Sequence, residues 1–306
     1  MSGRGLAPVC ARLGRDRWHF QHGPIDLLLE LDAECARGEA ALAACWERFH
    51  SVLPQLVAEL RALRQPLSER PVAEGPVARR MIEACAPFAA ERFITPMAAV
   101  AGAVADELIV FFRQSGIRRA FINNGGDIAL HLMPGEQYRV GIWSDLERLR
   151  SPVRSDRGPE SVFVIDAAMP VRGVATSGWR GRSFSLGIAD SVTVLAHCAA
   201  AADAAATLIA NAVDCDAAGI IRARADQLKD DTDLGNRLVT VAVPALPPSA
   251  IALALARGRT EAQYWRERGL IYAAALFLQG GIELVLPAAH LPCERARRAM
   301  IEPVVA

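Results

Sequence analysis

Along the chain apolar residues recur in two rhythms, and the places where one gives way to the other divide the sequence into elements. "PIDLLLEL" (residues 24–31) is an apolar run of strand length, and residues 39–63 then carry apolar positions at the three-and-four spacing of a helix that buries one face. "RQPLSERPVAEGPVA" follows, with prolines and a glycine among polar residues, and is expected as a loop. "FITPMAAVAGAVADELIVFFRQSG" reads as the clearest helix. Thr95 can cap it, Pro96 sits at the first helical position where its missing N–H costs nothing, and Ser115-Gly116 supplies the stop. Strand signals come next at "RRAFIN", "DIALHL", "YRVGIW", "SVFVID", "GVATSG" and "SVTVLA", before an Ala-rich helix over residues 197–213. "RLVTVAV", a helix near residues 249–268, "IYAAALFL" and "IELVLP" complete the pattern.

Hairpin-like neighbours alternating with helices predict an α+β layered fold, with mixed, mostly antiparallel sheets packed with helices, in preference to a regular parallel doubly wound sheet. No short-period repeat is visible, and an internal duplication whose halves had diverged would leave no trace at this level. Residues 1–20, Arg-rich and broken by Gly and Pro, are expected as a flexible arm, and residues 21–306 as a single domain.

Composition narrows the classes of partner. With 306 residues and an apolar fraction of 52%, the chain can bury a substantial core. Its 34 basic residues balance 34 acidic ones, which leaves no electrostatic footprint for nucleic acid. The longest apolar stretch, "AAVAGAVADELIVFF", contains Asp106 and Glu107 and falls short of the roughly 20 apolar residues that span a bilayer, so no membrane segment is expected. The opening residues lack the apolar core of a secretory leader. The seven cysteines are scattered without a C-x-x-C pair, which argues against a disulfide framework or a zinc site and for a reducing cytoplasm.

Three places carry candidate chemistry. Asn124-Gly125-Gly126-Asp127 is a hairpin signal, because Asn and Gly tolerate positive φ. The same glycines would let a planar or phosphorylated ligand approach the backbone, with the Asp127 carboxylate facing ring nitrogens or hydroxyls. Thr176-Ser177-Gly178 is either an ordinary hydroxylated turn or one that presents hydroxyls and N–H groups to a phosphate. Asp203 and Thr207 stand four residues apart on one helix face among alanines. They read either as a solvated Asp with a Thr bonded back to the backbone, or as hard oxygen donors for Mg²⁺. His19, His22 and His197 are expected in structural roles, "DQLKDDTDLG" as a solvated loop, and Tyr264 and Trp265 on an amphipathic helix face.

In order along the chain, "AAVAGAVAD", "NNGGD", "ATSG", "SVTV" and "DAAAT" resemble the successive motifs of the ApbE family of flavin transferases, over residues 95–212. No single motif is specific; the weight of the resemblance lies in five of them in the right order. The resemblance implies an ApbE-like fold that binds FAD beside Mg²⁺. It also implies transfer of the FMN portion to a Thr or Ser of a protein acceptor with release of AMP, or hydrolysis of FAD. On this likeness Asp203 and Thr207 would be side-chain metal ligands, with a backbone carbonyl near Val100 as a third. Asn124, Gly125, Gly126, Asp127, Thr176, Ser177 and Gly178 would line the dinucleotide site, and the resemblance names no catalytic acid or base. The chain departs from the family where a Lys is usual, at Ala101, and where a His-x-x-Asp-Pro segment is usual, in "RGRSFSLGIADSV"; Arg180 or Arg182 is then the candidate cation. These losses resemble a cytoplasmic branch of ApbE-like proteins found with tetrahydromethanopterin-linked one-carbon metabolism. That likeness implies an alternative: a non-catalytic binding or assembly protein for a pterin-like or methanofuran cofactor.

Overall fold

The computed structural model describes residues 7–33, 35–114, 116–142 and 161–287. In chain order, β1 (Val9–Arg12), β2 (Arg17–His22) and β3 (Ile25–Ala33) precede the helices α1 (Cys35–Leu63) and α2 (Pro76–Cys85). A 3-10 turn at Pro96–Ala99 leads into α3 (Val100–Ile109), which is followed by β4 (Ile117–Asn124), β5 (Asp127–Leu132), β6 (Gln137–Ile142), β7 (Ser161–Asp166), β8 (Gly173–Ser177) and β9 (Ser191–Ala196). Then come α4 (Ala199–Ala212), β10 (Ile221–Arg224), the single turn α5 (Ala225–Leu228), β11 (Leu238–Ala242), α6 (Pro248–Glu267), β12 (Ala273–Leu278) and β13 (Gly281–Val285). The fold is α+β with antiparallel pairing, as the alternation of patterns predicts.

Three expectations are corrected. The stretch expected as a flexible arm contains β1 and β2, because Phe20 and His22 alternate with Arg17, His19 and Gln21. The inward Phe20 packs on Trp46 and Phe49 of α1, with ring centroids 4.7 and 5.5 Å apart. Arg and Gly content hid a period of two. The proline-rich loop ends sooner than expected, since Gly75 and Pro76 start α2 with Pro at its tolerated first position. Finally, Thr95 gives no side-chain cap, and the expected long helix is cut at Ala99, whose backbone (φ −126°, ψ 13°) leaves helical geometry before α3 begins.

Where one domain is expected, the chain forms two compact units. The first comprises Met1–Gln137, Asp166–Ala175 and His197–Ala204; the second comprises Tyr138–Ile165, Thr176–Ala196 and Ala205–Ala306. In the first unit the strands run antiparallel in the order β1-β2-β3-β4-β5-β8. Leu27, Leu29 and Leu31 of β3 lie in register with Asn124, Ile122 and Ala120 of β4 and share a buried face. In the second unit β9, β12 and β13 are antiparallel neighbours, β10 pairs with β11, and α6 packs on β12 and β13. No helix among the described residues is long and apolar enough to cross a membrane.

Candidate functional site

The "NNGGD" stretch closes the β4–β5 hairpin. Asn124 pairs with Asp127, and Gly125 (φ +69°) and Gly126 (φ +117°) form the two-residue turn between them, positive φ at both positions being what such a turn demands. The Asn123 side chain accepts the Gly126 N–H at 2.8 Å, and Asn124, buried, donates its amide to the Ala101 carbonyl at 3.1 Å. The turn therefore ties the start of α3 to the hairpin and sets Asp127 at the first position of β5. A Cβ on Gly126 would meet nothing within 4 Å, so the outer side of the turn is open.

Two glycines let α4 begin close to its neighbours. A Cβ on Gly102 of α3 would lie 2.3 Å from the Ala199 carbonyl oxygen, and one on Gly173 of β8 would lie 2.0 Å from the Cys198 carbonyl carbon. No L side chain fits either contact. At this approach the Gly102 N–H donates to Asp203 Oδ2 at 3.0 Å. Asp106, 3% exposed, accepts the Ala199 and Ala200 N–H groups at 3.1 and 2.8 Å, and so caps α4 from another helix.

This packing concentrates acids. Desolvation first, and the nearby Asp127 charge second, push the Asp203 carboxyl well above the usual carboxylate range, against the opposing N–H bonds from Gly102 and Ala101. Asp203 nonetheless keeps part of its surface exposed, as does Thr207 one turn along α4, while Ala204, Ala205 and Ala206 between them are buried. Burial raises Asp106 as well, offset by the two N–H bonds it accepts. The Cys198 thiol is pushed up to about 12 by burial and by Asp106, and Cys85 is raised by burial and by Asp203, so neither is a thiolate near neutral pH. Among the described residues no three His, Cys, Asp or Glu side chains gather as a metal-binding group; Asp127 is near enough for its charge to act on Asp203.

In the second unit, Thr176 at the end of β8 shares a 2.9 Å hydroxyl contact with the buried Thr193 of β9. Ser177 is half-exposed, and Gly178 is buried where a Cβ would lie 2.3 Å from the Asp190 carbonyl oxygen. The first unit thus brings together Asn124, Gly125, Gly126, Asp127 and Asp203 with the start of α3 at Val100, whereas Thr176, Ser177, Gly178 and Thr207 belong to the second unit. Sequence reading missed Asp106, Gly102 and Gly173. Asp106 stands out only as an acid inside an apolar run, and a glycine facing another helix carries no local signal at all. His19 Nε2 hydrogen-bonds with the Asp26 carboxyl at 2.7 Å across the β2–β3 hairpin, and Trp265 is fully buried in α6 with its indole N–H on Glu261.

A family model described as AbpE bacteria matches residues 10–284. The UPF0280 protein of Methanothermobacter thermautotrophicus is 38% identical over 144 residues, 47% of this chain and 51% of that protein. The UPF0280 protein of Methanothrix thermoacetophila is 36% identical over 143 residues, covering 46% and 54% respectively. The matched part of the chain spans about half the length of these curated relatives. Among solved structures, the flavin transferase ApbE from Vibrio cholerae is 12% identical with a TM-score of 0.49, over 93% of this chain and 98% of that one.

Proposed function

This chain belongs to the AbpE bacteria family, and from that premise we propose that it binds FAD with Mg²⁺ and transfers or cleaves off the FMN portion, releasing AMP. The observation that carries the reading is the paired carboxyls of Asp127 and Asp203. Asp203 is desolvated and feels the Asp127 charge, so its ionised form is costly without a proton or a cation to offset it. The donor set fits a hard divalent ion: Asp203, held in orientation by the Gly102 and Ala101 N–H groups, the Thr207 hydroxyl, and the Val100 carbonyl at the start of α3. When bound, Mg²⁺ would offset pyrophosphate charge and make the phosphorus more open to attack.

The chain's own residues do the rest. Asp127 would accept from hydroxyls or ring N–H groups of the ligand, and the open side of the Gly125-Gly126 turn would admit a flat group against the backbone. Thr176, Ser177 and Gly178 would donate hydroxyls and N–H groups to phosphate oxygens. The acceptor would be a Thr or Ser of another protein, in the cytoplasm.

Purified protein incubated with FAD and Mg²⁺ should yield AMP, with FMN free or attached to an acceptor as a mass increase, and Asp203→Ala should abolish it. No product and no FAD binding would sink the reading. The occurrence of the curated relatives in Methanothermobacter and Methanothrix favours a second one, a binding or assembly protein for a pterin-like cofactor. A larger rise in melting temperature with a pterin than with FAD would support it.

A further inference from the structure

The turn that follows Ser177 in the second unit carries a feature that metal-assisted chemistry does not use. The Trp179 backbone N–H donates to the Ala189 carbonyl at 2.9 Å, and its indole N–H donates to Asp190 Oδ1 at 3.3 Å. The other Asp190 oxygen accepts the Gln279 N–H at 2.5 Å, so the carboxylate that orients the indole is itself anchored to the end of β12. Before Trp179, Gly178 packs on the Asp190 carbonyl; after it, the Gly181 N–H returns to the Gly178 carbonyl at 2.9 Å and closes the turn. The Arg180 guanidinium lies over this indole, its Cζ 4.8 Å from the ring centroid. Both side chains remain half-exposed.

A tryptophan held by backbone and side-chain bonds, yet not buried, is an aromatic surface already in position. The guanidinium over it adds a planar cation, a group that itself stacks on aromatic faces. The turn carries Arg180 and Arg182, and the acid next to it, Asp190, is taken up by the indole and by the Gln279 N–H. Among the described residues Arg182, two residues on, is exposed and stacks on no ring, which separates the two arginines that sequence alone leaves equivalent.

We infer that Trp179 and Arg180 form a stacking platform that binds the planar, fused heteroaromatic ring of the ligand. The inference rests on the proposed function only for the choice of ring. Isoalloxazine, pterin and purine share a flat fused face on which an indole and a guanidinium can stack, so each is a separate arm of the test.

The full chain in EDTA is titrated with riboflavin, with a pterin and with adenosine, none of which carries a pyrophosphate, and binding is followed by quenching of tryptophan or ligand fluorescence. At least one ring should bind, and the tightest names the source. Trp179→Leu should abolish the binding, Trp179→Phe should restore part of it, and Arg180→Ala should weaken it by roughly tenfold. If Trp179→Leu proves too unstable to assay, Arg180→Ala alters a half-exposed side chain and decides alone. Wild type that binds none of the three rings, or an Arg180→Ala variant that binds as tightly as wild type, overturns the platform. Ring binding without AMP release from FAD and Mg²⁺ would uphold the platform and defeat the transferase reading; AMP release without ring binding would do the reverse.

Discussion

Around the start of α4 the first unit gathers Asp106, Asp127 and Asp203; Asp106 and Asp203 are pushed up by burial and accept N–H groups from Ala199, Ala200 and Gly102. The turn after β8 in the second unit has a different balance, setting hydroxyls and two arginines beside the Asp190 carboxylate. The same device nonetheless shapes both: a glycine whose missing Cβ lets one backbone touch another, Gly102 and Gly173 in the first case and Gly178 in the second. Close backbone approach sets the geometry, and the side chains placed on it choose the charge. A region of crowded acids is complementary to a cation, whereas a region of arginine and hydroxyl is complementary to a phosphate or to the face of an aromatic ring.

The largest expected effect breaks the acid-rich side of this comparison. In Gly102→Ala the new methyl would lie 2.3 Å from a carbonyl oxygen of the backbone, and no rotamer can move it away. A loss of about 3 kcal/mol is expected, at the upper end for overpacking, which lowers the melting temperature by roughly 2–4 °C per kcal/mol. Gly126→Ala is the contrasting control, since it meets no neighbour and suffers only the strain of φ +117°, about 1–2 kcal/mol. Equal losses in the two variants would refute the close-approach argument. Next in size is Asp106→Ala, which strips two N–H groups at the start of α4 of their acceptor and should cost about 2 kcal/mol by denaturant titration.

Asp203 sharpens the comparison through pH. Its folded-state pKa is raised, so the folded protein holds a proton that the unfolded chain releases. The stability this contributes is complete below the ordinary carboxylate pKa and is lost as pH rises toward the folded value. In EDTA, therefore, wild type should lose stability from the ordinary carboxylate range upward, and Asp203→Asn should flatten that slope and melt higher at neutral pH. Added Mg²⁺ should raise the wild-type melting temperature at neutral pH and leave the variant's unchanged. A wild type insensitive to both pH and Mg²⁺ would remove the acid pair as a cation site.

How far the sequence could disclose this follows from what each feature needs. The hairpin at Asn124–Asp127 was legible because positive φ at two successive positions nearly requires glycine. Most strands were legible from short apolar runs, and α4 and α6 from their helical spacing. The β1–β2 hairpin was not, because its inward residues Trp18, Phe20 and His22 are too few to outweigh the arginines and glycines around them. Neither was the division into two units, since parts of each are separated along the chain. Asp106 as a cap for another helix, and Trp179 under Arg180, depend on where loops return in space, which periodicity does not encode.

The smallest expected effect lies on the arginine-bearing side. In Thr176→Val the shape of β8 is kept while the Thr193 hydroxyl, on a residue 2% exposed, loses its 2.9 Å partner. The stability loss should be about 1 kcal/mol, the ordinary net worth of such a bond. The double variant Thr176→Val with Thr193→Val should cost less than the sum of the two single changes, because the second removal no longer strands a polar group. If the effects are strictly additive, Thr193 finds another partner when Thr176 is lost. If they couple, the hydroxyl pair fixes how Thr176 is presented at the end of β8.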